Sequence, residues 1–145
     1  MIRAYIDGGA RGNPGPAGYG VRIEAEDGTL IEELYGALGV ATNNVAEYNG
    51  LLAALQWAVD RGERDVHIRA DSELLVKQMR GEYKIKNPGL QALAARARLL
   101  LMQLAHVRFE HVRREMNKEA DRLSNIAMDV AEGKLSGAQP TVRPE

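Results

Sequence analysis

The chain has 145 residues, 45% apolar and 27% charged, with a net charge of −1 and no cysteine. That size and balance fit one globular domain with an ordinary core, and they exclude a disulfide scaffold or a zinc–thiolate site. No apolar run approaches the roughly 20 residues a transmembrane helix needs, and a nucleic-acid partner would have to be held by a local basic patch.

The opening MIRAYID starts directly into a strand-like pattern with no basic leader or signal core, so a cytoplasmic protein with no membrane contact is expected. Ile2, Ala4 and Ile6 fall on one face of this first strand, and Arg3, Tyr5 and Asp7 on the other. Residues 8–20 are rich in Gly and Pro and read as turn or loop. GVRIEAE resumes the alternation, and Asp27-Gly28 signals a hairpin turn before TLIEELYGAL. Thr42, Asn43 and Asn44 break the sheet and offer helix N-cap chemistry. Tyr48, Leu51, Leu52, Leu55 and Val59 then recur at helical spacing up to Arg61-Gly62.

Residues 66–71 predict a fourth strand, with Asp71-Ser72 capping a helix from Glu73 to about Arg80. GEYKIKNPG is a loop closed by Pro88. A long helix from Leu90 to Leu104 follows, then a fifth strand in HVRFEHV with Val107 and Phe109 on one face. Asn117 caps a last helix running to about Gly133. The stretch 133–145 is small, polar and Pro-containing and reads as a disordered tail. The order βββαβααβα implies an α/β domain over 1–132, a five-stranded mixed sheet with helices on both faces.

Four acidic residues lie at the ends of these elements: Asp7, Glu47, Asp71 and Asp121. Each has a plain structural alternative. Asp7 could form a turn before Gly8-Gly9. Asn44 with Glu47 matches a capping box. Asp71 could cap a helix with Ser72, and a single helical acid such as Asp121 is usually solvated. Jointly, though, strand ends and helix starts are where a sheet of this kind gathers ligands. Four carboxylates in one small space repel one another unless cations lie between them, which points to a divalent-metal site for phosphate chemistry.

The surrounding motifs resemble those of type 1 ribonuclease H. Asp7-Gly8-Gly9 through Gly12-Asn13-Pro14-Gly15-Pro16 looks like the first-strand motif, and Thr42-Asn43-Asn44 with Glu47 like the motif of the first helix. Asp71-Ser72 and Asn117 with Ala120-Asp121 look like the fourth-strand and last-helix motifs. The similarity covers residues 1 to about 130. It implies that Asp7, Glu47, Asp71 and Asp121 bind two Mg²⁺ or Mn²⁺ ions and are catalytic. It also implies cleavage of the RNA strand of an RNA–DNA hybrid, leaving 5′-phosphate and 3′-hydroxyl ends, with Asn13, Thr42 and Asn43 touching the hybrid.

Two departures from the family's pattern stand out. The loop before the last helix reads Val112-Arg113-Arg114-Glu115-Met116, without the His many bacterial members carry, so Arg114 or Glu115 is the candidate auxiliary residue. The basic handle is also missing: only GEYKIKNPG separates Arg80 from Leu90. Residues 73–98 nevertheless carry a local excess of +4, and Lys84 and Lys86, on the loop, are the candidates for gripping a phosphate backbone. The expectation is a monomer of the handle-less branch with RNA–DNA hybrid as partner and double-stranded RNA as a second candidate. A hybrid-binding module without catalysis, or another nuclease or recombinase of this fold, are the alternatives.

Overall fold

The computed structural model describes residues 1–134 and has the predicted element order. Strands β1 (Ile2–Ala10), β2 (Gly15–Glu24) and β3 (Leu30–Ala41) form an antiparallel meander. β4 (Asp65–Ala70) pairs with β1 in parallel and β5 (His106–His111) pairs with β4 in parallel, giving the sheet order β3-β2-β1-β4-β5. The helices are α1 (Asn43–Asp60), α2 (Glu73–Met79), α3 (Pro88–Leu101) and α4 (Lys118–Ala131), with a short 3₁₀ turn at Arg114–Met116. The two parallel connections each use helices, as parallel pairing requires.

The core lies between the sheet and α1. Ile2, Ala4 and Ile6 are buried as the alternation predicts, together with Tyr19, Val21 and Ile23 from β2. α1 is buried on more than one stripe, from Ala46 through Ala58, because the sheet covers one side and α3 another. α4 is the strongly amphipathic helix. It crosses the opposite face over β1, β2 and β3, burying Ala120, Leu123, Ala127 and Met128. None of the described helices is long and apolar enough to cross a membrane.

Several local expectations need correction. Residues 8–20 are mostly strand: β1 runs on to Ala10 and β2 begins at Gly15, so only Arg11–Pro14 turn. The glycines mislead because here they serve close packing. A side chain at Gly20 would lie 2.5 Å from the Ala120 carbonyl and the Leu123 Cβ of α4, and one at Gly8 would collide with the α1 backbone at Ala46 and Glu47. The helix placed at Leu90–Leu104 runs Pro88–Leu101, because Asn87 caps it through the Leu90 N–H and Pro88 fits its first turn. Of the tail expected at 133–145, all but Gly133 and Lys134 lies outside the described residues.

Candidate active site

β1 and β4 stay paired up to Ile6 and Ala70, and Asp7 and Asp71 are the next residues on each strand. The two carboxylates therefore stand side by side where neighbouring parallel strands part. Glu47 reaches the same point from the first turns of α1, which lies close against β1 because residue 8 is glycine. Carboxylate oxygens of Asp7, Glu47 and Asp71 all lie within 4.8 Å of one another. Asp121, in the first turn of α4, stands at the exposed side of this trio and contacts the Asp7 carboxyl.

The capping alternatives do not account for Glu47 and Asp71. The N-cap of α1 is Thr42, whose hydroxyl accepts from the Val45 N–H at 3.2 Å, so Asn44 and Glu47 form no capping box. Ser72 alone caps α2, through the Leu75 N–H at 3.2 Å, which leaves Asp71 free of that duty. Asn117 is the N-cap residue of α4, its carbonyl accepting from the Asp121 N–H at 3.0 Å, but its side chain makes no capping bond. Its side-chain amide instead donates to the Ile6 carbonyl at 2.8 Å, tying α4 to β1 one residue before Asp7.

The electrostatics are those of acids crowded out of water. Burial first, then the Asp71 charge and the Asp121 carboxyl, push Asp7 up to about 8. Glu47 is raised to about 7, by burial and then by Asp71, with a hydrogen bond from Ser72 acting against the rise. Asp71 is also raised by burial, while the Arg114 guanidinium pulls it back. At an effective dielectric of 20, two full charges about 4.8 Å apart repel by roughly 3–4 kcal/mol. A set of hard oxygen donors held against that repulsion suits a hard divalent cation such as Mg²⁺ or Mn²⁺.

Sequence reasoning missed one contributor. The Ser124 hydroxyl lies 2.9 Å from the Asp121 carbonyl and 3.3 Å from Asp7 Oδ2, so it fixes Asp7 from the α4 side while the Gly8 N–H, 2.9 Å from Oδ1, fixes it from below. Its one sequence signal is its position three residues after Asp121, on the same helix face.

A family model described as reverse transcriptase-like matches residues 5–127. The structure of the N-terminal RNase H domain of Rv2228c from Mycobacterium tuberculosis superposes with a TM-score of 0.88 at 45% identity, covering 93% of this chain and 98% of that one. The chain belongs to the type 1 ribonuclease H family. An LC11-RNase H1 solved in complex with an RNA/DNA hybrid matches with a TM-score of 0.87 at 44% identity, over 91% of this chain and 99% of that one. Ribonuclease HI of Halobacterium salinarum is 43% identical over 130 residues, 90% of this chain and 65% of the relative. The bifunctional protein Rv2228c of Mycobacterium tuberculosis is 48% identical over 126 residues, so the chain spans about a third (35%) of that relative's length.

In this ribonuclease H domain the residues expected to touch substrate form a laced surface beside the carboxylates. Asn13 Oδ1 accepts from the Asn43 N–H at 3.1 Å, and Asn43 Oδ1 accepts from the Ala10 N–H at 2.7 Å, so the β1–β2 turn and the start of α1 hold each other. Both side-chain amides keep their N–H donors uncommitted among the described residues. Lys84 and Lys86 are exposed on the loop between α2 and α3 and have no ion-pair partner among the described residues. Lys77 and Arg80 differ from them: Lys77 packs 5.0 Å over the Tyr83 ring and pairs with Glu73, and Arg80 pairs with Glu82. Of the two auxiliary candidates, only Arg114 acts on the cluster. Glu115 lines a separate cleft with Tyr5, Arg22 and Glu119.

Proposed function

We propose that this protein is a metal-dependent endoribonuclease that hydrolyses the RNA strand of RNA–DNA hybrids, leaving 5′-phosphate and 3′-hydroxyl ends. The observation that carries the reading is the convergence of the Asp7, Glu47 and Asp71 oxygens within 4.8 Å. Asp7, Glu47, Asp71 and Asp121 would hold two Mg²⁺ or Mn²⁺ ions, which when bound supply an activated water and charge stabilisation for the displaced 3′ oxygen. The protein's own part is to keep the acids in place and orient the strand. Gly8, Ser124 and Ser72 each set a hydrogen bond on a carboxylate, which restricts how Asp7 and Glu47 can turn. Arg114 sits on the Asp71 side, where its guanidinium would attract a phosphate and ease the departure of a phosphorylated end.

Asn13, Thr42 and Asn43 present short polar groups suited to the shallow minor groove and 2′-hydroxyls of a hybrid. Lys84 and Lys86 would take phosphates of the same duplex at its far side. Replacing both with Ala is expected to lower the salt dependence of hybrid binding by about two counterions, at roughly 0.9 per phosphate contact, without changing the rate at saturating substrate. Equilibrium binding across a salt series measures the slope. An unchanged slope would remove these lysines from the substrate path.

The function itself is tested with end-labelled RNA–DNA hybrid, double-stranded RNA and double-stranded DNA, each incubated with Mg²⁺, Mn²⁺ or a chelator. The expected result is cutting of the hybrid's RNA strand, abolished by the chelator, with duplex DNA intact. Cleavage or strand transfer on duplex DNA would overturn the reading. Salt-sensitive hybrid binding with no turnover in either metal would leave a binding module in its place.

A further inference from the structure

β5 is an edge strand, and beside it lies a groove of about 520 Å³. The groove borders the early part of β5, where Val107 aligns with Val66, whereas the carboxylates stand beyond the opposite ends of β1 and β4. Met79, Leu104, Val107 and Phe109 supply an apolar lining. Its charged lining residues are Arg80 and Arg108, and no acid lines it. Leu99 (63%) and Met102 (81%), near the C-terminal end of α3, are also exposed.

The two arginines are prepared differently. The Arg80 guanidinium donates to the Phe109 carbonyl at 2.6 Å through Nη2, which fixes its plane, while Nη1 pairs with the half-exposed Glu82 at 3.8 Å, a contact a guest carboxylate would have to compete with. Arg108 lies at the groove's rim, on the sheet face opposite Val107 and Phe109 and across from His67; it is exposed and has no ion-pair partner among the described residues. A planar guanidinium held in this way offers its remaining N–H groups as a fork for a carboxylate. The His106 and Val112 N–H groups bond toward β4, so by strand alternation the Val107 and Phe109 backbones face the free edge. Arg80 occupies the Phe109 carbonyl; the Val107 backbone remains open to a strand-like guest.

A nucleic-acid backbone would satisfy the arginines but set charged oxygens over an apolar floor. A peptide with a large apolar side chain flanked by acids satisfies both at once, and can also bond the strand edge. We propose that this groove is a docking site for a short acidic peptide segment of a partner protein, its apolar side chain over Leu104 and Phe109 and its carboxylates on Arg80 and Arg108. The site leaves the catalytic end free, so a docked partner would tether the nuclease without blocking it.

The test uses a fluorescein-labelled peptide, Asp-Asp-Glu-Asp-Leu-Phe-Asp-Glu-Asp, titrated with the protein by fluorescence polarisation. One control peptide carries Ser-Ser for Leu-Phe, and another carries Asn and Gln for the acids. The expected result is saturable binding in about the micromolar range, weakened about tenfold or more by either control and by Arg108→Glu. Arg108→Glu should keep its thermal melt, its sedimentation behaviour and, within about twofold, its cleavage of hybrid. Arg108→Ala serves if the charge reversal disturbs folding. The proposal is overturned if the acidic peptide fails to saturate or binds the variants equally well. It is equally overturned if the variants lose hybrid affinity, marking a nucleic-acid surface, or break up a dimer, marking contact between two copies of this chain.

Discussion

Asp7→Asn is expected to abolish cleavage of the RNA strand while making the metal-free protein more stable at pH 8. The loss of activity follows from Asp7 being the acid nearest to all the others: it touches Asp71 and Asp121 and shares the trio with Glu47. Removing its charge should raise the barrier by about 4 kcal/mol or more, a thousandfold in rate. The gain in stability follows from linkage. Asp7 is raised from 3.8 to about 8, so between those pH values the folded protein holds a proton that the unfolded chain has released. Stability is therefore full below about pH 4 and declines as pH rises toward 8. Asn carries no such charge, so the decline becomes shallower, though not flat, because Glu47 remains raised to about 7.

Thermal melts of both proteins from pH 5 to 8, with and without Mg²⁺, read this out directly. Without metal at pH 8 the variant should melt several degrees higher, and added Mg²⁺ should raise the wild type more than the variant. A variant that is folded yet cuts hybrid at near the wild-type rate would show that the site has been assigned to the wrong residues. A variant that melts lower at pH 8 would show that the acids are not held against their repulsion.

Gly8→Ala should damage both the fold and the site. The added methyl group would meet the main chain of α1 at Ala46 and Glu47, and backbone cannot rotate aside as a long side chain can. Separating α1 from β1 costs about 3 kcal/mol, at the upper end for overpacking. It also carries Glu47 away from Asp7, so activity should fall about a hundredfold even where the protein is still folded. Urea denaturation gives the first effect, and cleavage at low temperature, with folding checked by circular dichroism, gives the second. Full activity at a tenth of the denaturant midpoint would disconnect the glycine from the placement of Glu47.

The elements that read correctly from sequence are those with a clean period. IRAYID alternates because one face meets α1 and the other does not, and the Leu51–Leu55 run follows the helical repeat because α1 must bury it. The Gly-rich stretch from Gly8 to Gly20 misled because turn and close strand–helix packing both call for glycine, and only the positions of α1 and α4 distinguish them. The four acids were legible as a set through their motifs. The helix-capping explanations for Glu47 and Asp71 failed on details invisible in one dimension: Thr42 and Ser72 already supply the caps. Ser124 was out of reach because its partner, Asp7, lies 117 positions away in the chain. Arg114 and Glu115, neighbours in sequence, point to different clefts because a 3₁₀ turn separates their directions.

The tie from Asn117 to Ile6 has a consequence for when the enzyme can exist. The acids are drawn from positions 7, 47, 71 and 121, and the last of them enters only when α4 lies down across β1 and β2. A ribosome that has made the first hundred residues has made every other acid of the cluster but not the helix that clamps β1. The four-acid cluster is thus complete only once α4 has been made, and a chain cut before α4 should lack both Asp121 and the clamp on β1.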